Sequence, residues 1–139
     1  MSELLEKARS YEAKKIAATD KESKPLFHIS APAGWINDPN GFSVYNGKIH
    51  LFYQYYPYLR EWGPMHWGHS TTSDMIKWEQ LPCVLAPDEE YDKKGCFSGS
   101  AIEADGKHVL VYTGVTRIKL PDGSEQERQN QCIAFGDGL

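Results

Sequence analysis

The pattern of apolar and polar residues divides the chain into a helical segment and a longer region of short strands. Over residues 3–20 apolar side chains recur at steps of three to five, with Glu and Lys between them. They are Leu4, Leu5, Ala8, Tyr11 and Ile16. This spacing places them on one face of a helix, and Lys21–Lys24 followed by Pro25 ends the pattern. We predict an N-terminal helical extension over residues 1–24, either solvent-exposed or docked, without a chemical role.

From Phe27 onward, short apolar runs are separated by Gly, Pro, Asn and Asp. These runs predict four strands in a first group, at 41–45, 48–55, 65–72 and 78–81. A second group has predicted strands at 98–104, 108–113 and 129–135. In each group the first two strands are joined by a dipeptide typical of tight hairpins, Asn46-Gly47 in one and Asp105-Gly106 in the other. The region is therefore predicted to be all-β and antiparallel.

The two groups of strands are copies of one unit. Residues 41–53 align with residues 100–112 at an offset of 59, the difference between positions 41 and 100. A repeat of four antiparallel strands is the plan of a β-propeller blade. We assign blade one to about 35–82 and an incomplete blade two to about 95–139. Since two blades cannot close a ring, residues 25–139 are expected to be the front of a longer protein; a sandwich of about seven strands is the alternative.

Charge and composition exclude several classes of function. Fifteen Lys+Arg against nineteen Asp+Glu give a net charge of −4, which provides no attraction to nucleic acid or to an anionic membrane. No apolar run approaches the ~18 residues of a membrane span, and the charged N-terminus does not resemble a signal peptide. The three cysteines (Cys83, Cys96 and Cys132) show no C-x-x-C spacing. We therefore expect reduced thiols in a cytoplasmic protein; the oligomeric state stays open.

Asp38 is the first candidate for chemistry, on a predicted turn just ahead of the first strand. Pro39 disfavours the α region at Asp38, which holds the carboxylate on a rigid extended segment. The neighbouring Asn37 can donate a hydrogen bond to a carboxylate or to a sugar hydroxyl. An Asx-turn, in which Asp38 only satisfies backbone amides, is the alternative for this segment.

Aromatic and amide side chains accompany this carboxylate. Thirteen of the seventeen aromatic residues lie between Trp35 and Phe97, a density that suits either a packed β structure or a sugar-binding surface. Sugar sites combine carboxylates, amides and aromatic faces. Residues of these types in the predicted first blade are Gln54, Trp62 and Trp67. The predicted Gly95–Gly99 turn adds Phe97 and Ser98. Each aromatic alone is typical of a core, but the set favours a sugar ligand.

Four motifs in order carry a family resemblance. They are Trp35–Gly41 (WINDPNG), Phe52–Gln54, Trp62–His69 and Phe97–Ser100. Over these motifs the chain, from about Phe27 to its end, resembles glycoside hydrolase family 32, which contains invertases, sucrose-6-phosphate hydrolases and fructan hydrolases. The resemblance implies a five-bladed β-propeller followed by a β-sandwich. This chain would then hold the first two blades, preceded by a short helix.

The resemblance also implies roles for individual residues. Asp38 would be the nucleophile in a retaining hydrolysis of the fructosyl bond of sucrose or sucrose 6-phosphate, with no cofactor and no metal. The fructosyl subsite would be lined by Asn37, Gln54, Trp62, Phe97 and Ser98, with Trp67 close by. A fructan hydrolase acting on inulin or levan is an alternative, disfavoured by the missing signal peptide. A non-catalytic sugar-binding module is another.

Two further acidic motifs of the family do not occur in the chain. Members carry an Arg-Asp-Pro, whose Asp steadies the transition state, and a Glu-Cys, whose Glu is the general acid. In this chain no Arg is followed by Asp and no Glu precedes a Cys. The family order places both motifs beyond Leu139. We therefore expect the isolated chain to be inactive, because the leaving group would depart without a proton donor.

Three further patterns in the sequence do not predict a functional site. His66 and His69 differ by an odd step on a predicted strand, so they point to opposite faces and do not form a metal site together. The Gly95–Gly99 segment does not have the G-x-S-x-G order of a serine hydrolase. The acidic run from Asp88 to Asp92 is predicted to be a solvated loop.

Overall fold

The computed structural model describes residues 1–136, which form one α-helix and seven strands. The helix α1 spans Glu3–Ala18, and a single turn of 3-10 helix follows at Lys21–Ser23. The strands are β1 Trp35–Tyr45, β2 Lys48–Tyr56, β3 His66–Thr72, β4 Glu79–Leu85, β5 Gly95–Ala104, β6 Lys107–Lys119 and β7 Glu125–Gly136. In this part of the chain, no helix has the length and apolar character that a membrane crossing needs.

The strands form two antiparallel sheets, each in simple sequence order. One sheet has the order β1-β2-β3-β4 and the other β5-β6-β7. A meander of this kind is the plan of a propeller blade, whereas a sandwich requires Greek-key crossings. The predicted all-β fold with a short N-terminal helix is confirmed. In the predicted repeat, the fourth strand of blade two would begin only at about Leu139, which lies outside the described residues.

The hairpin turns confirm the internal repeat. Asn46 and Gly47 both have positive φ, 48° and 72°, and so do Asp105 and Gly106, 50° and 70°. Two consecutive positive φ angles define the type I′ turn, whose twist matches that of the flanking strands. On either side of these turns the pairing is equivalent, since Val44 pairs with Ile49 and, 59 positions later, Glu103 pairs with His108.

The two sheets pack on each other through an apolar cluster. Inner strands β1 and β5 lie side by side. The buried members of the cluster come from both sheets: Phe52, Trp67, Cys96, Leu110, Tyr112 and Cys132. The three cysteines are free and buried. This packing brings the ends of β1 and β5 together, and it thereby sets the position of the site.

Several strands are longer than the sequence predicted. Strand β1 begins at Trp35 and β5 at Gly95, so the turns predicted ahead of these strands are wrong. Strands β6 and β7 extend as a polar hairpin beyond the core, where Arg117 and Glu125 approach to 3.5 Å. Backbone pairing needs no apolar side chains, which is why hydrophobic alternation understated the lengths of these strands.

Helix α1 is docked on the outer edge of the first sheet, and it is two residues shorter than predicted. Ser2 caps it by accepting from the Leu5 amide. On its inner face Arg9 donates to the Cys83 carbonyl, 2.7 Å, and Glu12 accepts from the Cys83 amide, 3.1 Å. Since β4 is an edge strand, these two side chains satisfy backbone groups that would otherwise be open to another strand.

The prediction that the acidic run from Asp88 to Asp92 is a solvated loop is wrong for Asp92. Asp92 is completely buried, where it accepts hydrogen bonds from the Tyr112 hydroxyl at 2.8 Å and from the Glu89 amide at 2.9 Å. Burial raises the pKa of this carboxyl. The error arose because Tyr112 lies twenty residues away on β6, and that contact leaves no mark in the local sequence.

Candidate active site

A β-bulge in β1 determines where Asp38 points. Ile36 pairs with Tyr55 and Pro39 pairs with Tyr53, so Asn37 and Asp38 together face Gln54 alone. An extra residue of this kind breaks the alternation of side chains and re-aims them. Pro39 fits here because β1 is an edge strand and a bulge leaves a backbone amide unpaired. The bulge therefore brings the Asn37 amide and the Asp38 carboxylate together.

A second bulge lies opposite the first, in the neighbouring sheet. Phe97 pairs with Thr113 and Gly99 with Tyr112, which leaves Ser98 as the extra residue of β5. The Ser98 hydroxyl donates to Asp38 Oδ2 at 3.0 Å. The candidate nucleophile in one blade thus accepts a hydrogen bond from the next blade, from a residue that lies 60 positions later in the sequence.

Three hydrogen bonds hold β5 in place around Ser98. Gln54 Nε2 donates to the Cys96 carbonyl at 2.9 Å, and the Trp67 indole N–H donates to the Phe97 carbonyl at 3.2 Å. Asn40 Oδ1 accepts from the Gly99 amide at 3.4 Å. We call Gln54, Trp67 and Asn40 the inter-blade clamp, because each belongs to the first sheet and fixes the backbone of the second.

The surroundings of Asp38 favour its charged form. The pKa of Asp38 is lowered, first by the Asn37 amide beside it and then by the Ser98 hydroxyl. Among the described residues, the Ser98 hydroxyl is the side chain that lies at hydrogen-bond distance from this carboxylate. The side chain is exposed, so burial does little to oppose ionisation. An exposed, ionised carboxylate is what a nucleophile for a sugar carbon requires.

The other predicted site residues fall into two layers. The rings of Trp62 and Phe97 meet edge to face at 6.1 Å between centroids, and Trp62 is 51% exposed. These two rings offer apolar surface next to Ser98. Gln54 and Trp67 are buried, at 2% and 0% exposure, so they lie beneath the exposed residues, where they act as members of the inter-blade clamp.

Sequence reasoning missed Asn40, which joins the clamp, and Trp35, whose indole contacts Asn37. Both lie inside the WINDPNG segment that singled out Asp38. An Asn before Gly is an ordinary turn signal, and its buried position against β5 follows only from the packing of the sheets. The second bulge, at Ser98, also had no signal in the sequence.

The two blade-like sheets place a carboxylate, an amide, a hydroxyl and aromatic rings at their inner strands, the kinds of group that a sugar-binding site combines. The family model described as the glycosyl hydrolases family 32 N-terminal domain matches residues 28–138. The chain belongs to this family, and the recognition made from its four motifs is confirmed.

Similar proteins from different organisms agree with this assignment. A sucrose-6-phosphate hydrolase of Escherichia coli is 49% identical over 116 residues, covering 83% of this chain and 24% of that protein. A levanase of Bacillus subtilis is 48% identical over 136 residues, covering 96% of this chain and 20% of the levanase. A GH32 β-fructofuranosidase mutant from Bombyx mori, solved in complex with sucrose, has a TM-score of 0.81 and 44% identity, covering 95% of this chain and 27% of that one.

The chain spans about a fifth to a quarter of the length of the relatives it matches. The likeness to a solved family 32 enzyme over nearly the whole chain confirms that the two sheets are propeller blades. The sandwich alternative is thereby excluded.

Proposed function

We propose that this chain is the N-terminal part of a β-fructofuranosidase that hydrolyses the fructosyl bond of sucrose or sucrose 6-phosphate, with Asp38 as nucleophile. The observation that carries the proposal is the Asp38 carboxylate, whose pKa is lowered by Asn37 and Ser98 on the bulges of two adjacent blades. The E. coli sucrose-6-phosphate hydrolase and the sucrose-bound Bombyx mori enzyme support the substrate class.

In this mechanism an Asp38 oxygen attacks the anomeric carbon of the fructofuranosyl unit. The new carbon–oxygen bond forms as the glycosidic bond breaks, and the leaving oxygen takes a proton from a carboxylic acid. Water then releases fructose from the covalent intermediate, with net retention of configuration. The acid is expected from a region of the protein that this chain does not contain.

The exposed residues have distinct parts in this proposal. Asn37 and Ser98 keep Asp38 charged and directed, while the Trp62 and Phe97 rings pack against the apolar face of the sugar. Gln54 and Trp67, predicted as subsite residues, support the subsite from below through β5. No cofactor and no metal enter this mechanism. We also propose a cytoplasmic location, where such an enzyme would meet imported sucrose or its phosphate.

The test is Asp38→Asn in the protein that contains this chain with its remaining blades. Amides are poor nucleophiles, so we expect hydrolysis of sucrose and sucrose 6-phosphate to fall by about 10⁴-fold or more, while the fold is kept. Asp105→Asn is the matched control, since Asn already occupies the equivalent turn position at Asn46. Full activity of Asp38→Asn would contradict the proposal, and so would an inverted configuration of the first fructose released.

A second candidate function is hydrolysis of a fructan. It is supported by the Bacillus subtilis levanase, which is 48% identical over 96% of this chain. The two candidates share the nucleophile and differ in the leaving group. Comparing kcat/KM for sucrose, sucrose 6-phosphate, inulin and levan separates them, since a higher value for either polymer would favour the second. No hydrolysis of any of these sugars by the whole protein, together with binding of fructose, would instead favour a sugar-binding module.

A further inference from the structure

The ring of Trp62 is carried by the connection between β2 and β3, residues 57–65, which we call the Trp62 loop. The middle of this loop, residues 59–62, is exposed. A loop with few buried contacts keeps one conformation only where other elements hold it. The position of the Trp62 ring therefore depends on how the two ends of the loop are fixed.

The second end of the Trp62 loop is fixed by the strands. His66 Nδ1, at the start of β3, donates to the Pro64 carbonyl at 2.8 Å. The Met65 carbonyl accepts from the Cys96 amide of β5, also at 2.8 Å. Met65 is buried, at 1% exposure. Residues 64–65 thus follow the two sheets and cannot move without them.

The first end of the Trp62 loop is held by helix α1. The Tyr11 hydroxyl donates to the Tyr58 carbonyl at 3.2 Å, and the two tyrosine rings meet edge to face with centroids 5.1 Å apart. Lys7 lies one turn earlier on the same face of α1, and its Nζ is 5.8 Å from the centre of the Tyr58 ring. Among the described residues, the hydrogen bond from Tyr11 is the only one that reaches residues 57–62.

Helix α1 is a fixed support for Tyr11. Ala8 is completely buried in an apolar cluster with side chains of the first sheet. On the same helix, Arg9 and Glu12 bind the carbonyl and the amide of Cys83 on β4. Because the helix is tied to the sheet on both sides of Tyr11 in the sequence, the Tyr11 hydroxyl has a defined position from which to hold the loop.

We propose that Tyr11 is a positioning residue for the sugar subsite, and that its hydroxyl holds the Trp62 loop so that the Trp62 ring stays edge to face with Phe97. These rings lie 6.1 Å apart, and Trp62 is 51% exposed, so half of its surface has no protein contact to orient it. The part of Trp62 in sugar binding rests on the proposed function, whereas the placement of its ring does not. Helix α1 then contributes to sugar affinity without contacting the sugar.

The test is Tyr11→Phe, which retains the ring pair with Tyr58 and removes only the hydroxyl. Fluorotryptophan is incorporated into the protein that contains this chain with its remaining blades, and the fluorine resonance of Trp62 is identified by its loss in Trp62→Phe. We expect this resonance to shift in Tyr11→Phe, because the loop loses one of its two attachments. An unchanged Trp62 resonance would overturn the proposal.

Tyr45→Phe is the matched control. The Tyr45 hydroxyl also donates to a backbone carbonyl, that of Gly106 at 3.1 Å, but at the opposite end of β1 from Asp38. Removing it should therefore leave the fluorine resonance of Trp62 unchanged. An equal shift in Tyr45→Phe and Tyr11→Phe would contradict a specific role for Tyr11.

Kinetics of the same protein separate positioning from a loss of structure. A ring that packs on the sugar contributes to binding in the ground state and in the transition state alike, so Tyr11→Phe should raise KM by about 2- to 10-fold with kcat nearly unchanged. Partial unfolding would instead lower kcat at an unchanged KM, and that result would contradict the proposal.

A double-mutant cycle tests whether Tyr11 acts through Trp62. In a Trp62→Ala background, Tyr11→Phe should raise KM no further. An equal rise in both backgrounds would show that Tyr11 acts by another route and would refute the inference. If the whole protein hydrolyses no fructoside at all, the proposed function fails, while the fluorine resonance of Trp62 still tests the role of Tyr11.

Discussion

Asp38 and Ser98 meet because each is an extra residue in its strand. In a regular strand Asn37 and Asp38 would point to opposite faces, and the bulge in β1 places both opposite Gln54. The bulge at Ser98 turns its hydroxyl toward the neighbouring blade, where it reaches Asp38 at 3.0 Å. At the scale of single residues, the charge of the candidate nucleophile is thus set by local departures from regular strand geometry.

Replacing Ser98 by Ala tests this arrangement. The loss of the donated hydrogen bond should raise the pKa of Asp38, because a hydrogen bond to the charged form of a carboxyl favours that form. NMR titration of the Asp38 carboxyl checks this. Ser100→Ala, at an exposed serine two positions along β5, should leave the pKa as it is. A rise of equal size in the two variants would contradict a specific role for Ser98.

At the scale of elements, helix α1 and strand β4 form a unit. Glu12 and Arg9 bind both backbone groups of Cys83 on the exposed edge of the sheet. Burial raises the pKa of Glu12, and the Cys83 amide, the Tyr55 hydroxyl and the charges of Arg9 and Lys24 oppose that rise. A raised pKa means that the charged form of Glu12 is less stable in the folded protein than in the unfolded chain. Glu12 therefore stabilises the fold through its hydrogen bond with the Cys83 amide and not through its charge.

Two substitutions of Glu12 distinguish the contribution of its hydrogen bond from that of its charge. Glu12→Ala leaves the buried Cys83 amide without a partner and is expected to lower the free energy of unfolding by about 1–3 kcal/mol. Glu12→Gln keeps an acceptor oxygen and removes the charge, so at neutral pH it should change stability by less than about 0.5 kcal/mol or raise it. Urea unfolding measures both, with Glu6→Ala on the exposed face of α1 as control. Equal stabilities for Glu12→Ala and Glu6→Ala would refute this role.

At the scale of the whole molecule, three histidines lie where the two sheets meet. His50 and His69 of the first sheet are joined through Nδ1 and Nε2 at 2.9 Å, and the ring of His108 from the second sheet lies 4.9 Å from that of His50. Burial, and then the charges of neighbouring histidines, lowers the pKa of His69 to about 3 and that of His108 to about 4. Burial also lowers the pKa of His50. All three are therefore neutral in the folded protein at neutral pH.

This histidine cluster predicts that acid destabilises the fold where the two blades pack on each other. As pH falls from about 6.5 to about 4, His69 and His108 gain protons in the unfolded chain but not in the folded one, so stability is lost over this window. Each such difference of one proton changes the free energy of unfolding by up to about 1.4 kcal/mol per pH unit. The raised pKa values of Glu12 and Asp92 act in the opposite direction.

The variant His108→Gln isolates the histidine contribution, because it retains a partner for Ser43, which lies 2.8 Å from His108 Nε2. We expect its stability to fall less steeply between pH 6.5 and 4 than that of the unaltered chain, measured by urea unfolding at several pH values. His28→Gln, at an exposed histidine, should keep the original dependence. The same slope in His108→Gln as in the unaltered chain would refute the prediction.

Local chemistry in the sequence determined the hairpins, the repeat and the candidate nucleophile. Asn46-Gly47 and Asp105-Gly106 specify their turns because these residues tolerate positive φ. The WINDPNG segment and the three motifs after it identified the family and Asp38 without any coordinates. Such features depend on residues within a few positions of one another, and the residue types alone therefore carry them.

The tertiary structure decided what depends on a partner strand. Whether Asn37 and Asp38 form a bulge is a property of their pairing with β2, and whether Ser98 reaches Asp38 depends on the packing of two sheets. The burial of Asp92 against Tyr112 and the docking of Glu12 on Cys83 likewise join distant residues. Hydrophobic alternation specifies which face of a strand is buried. It does not specify which polar atom of a neighbouring strand will lie within hydrogen-bond distance, because that is fixed only when the sheets pack.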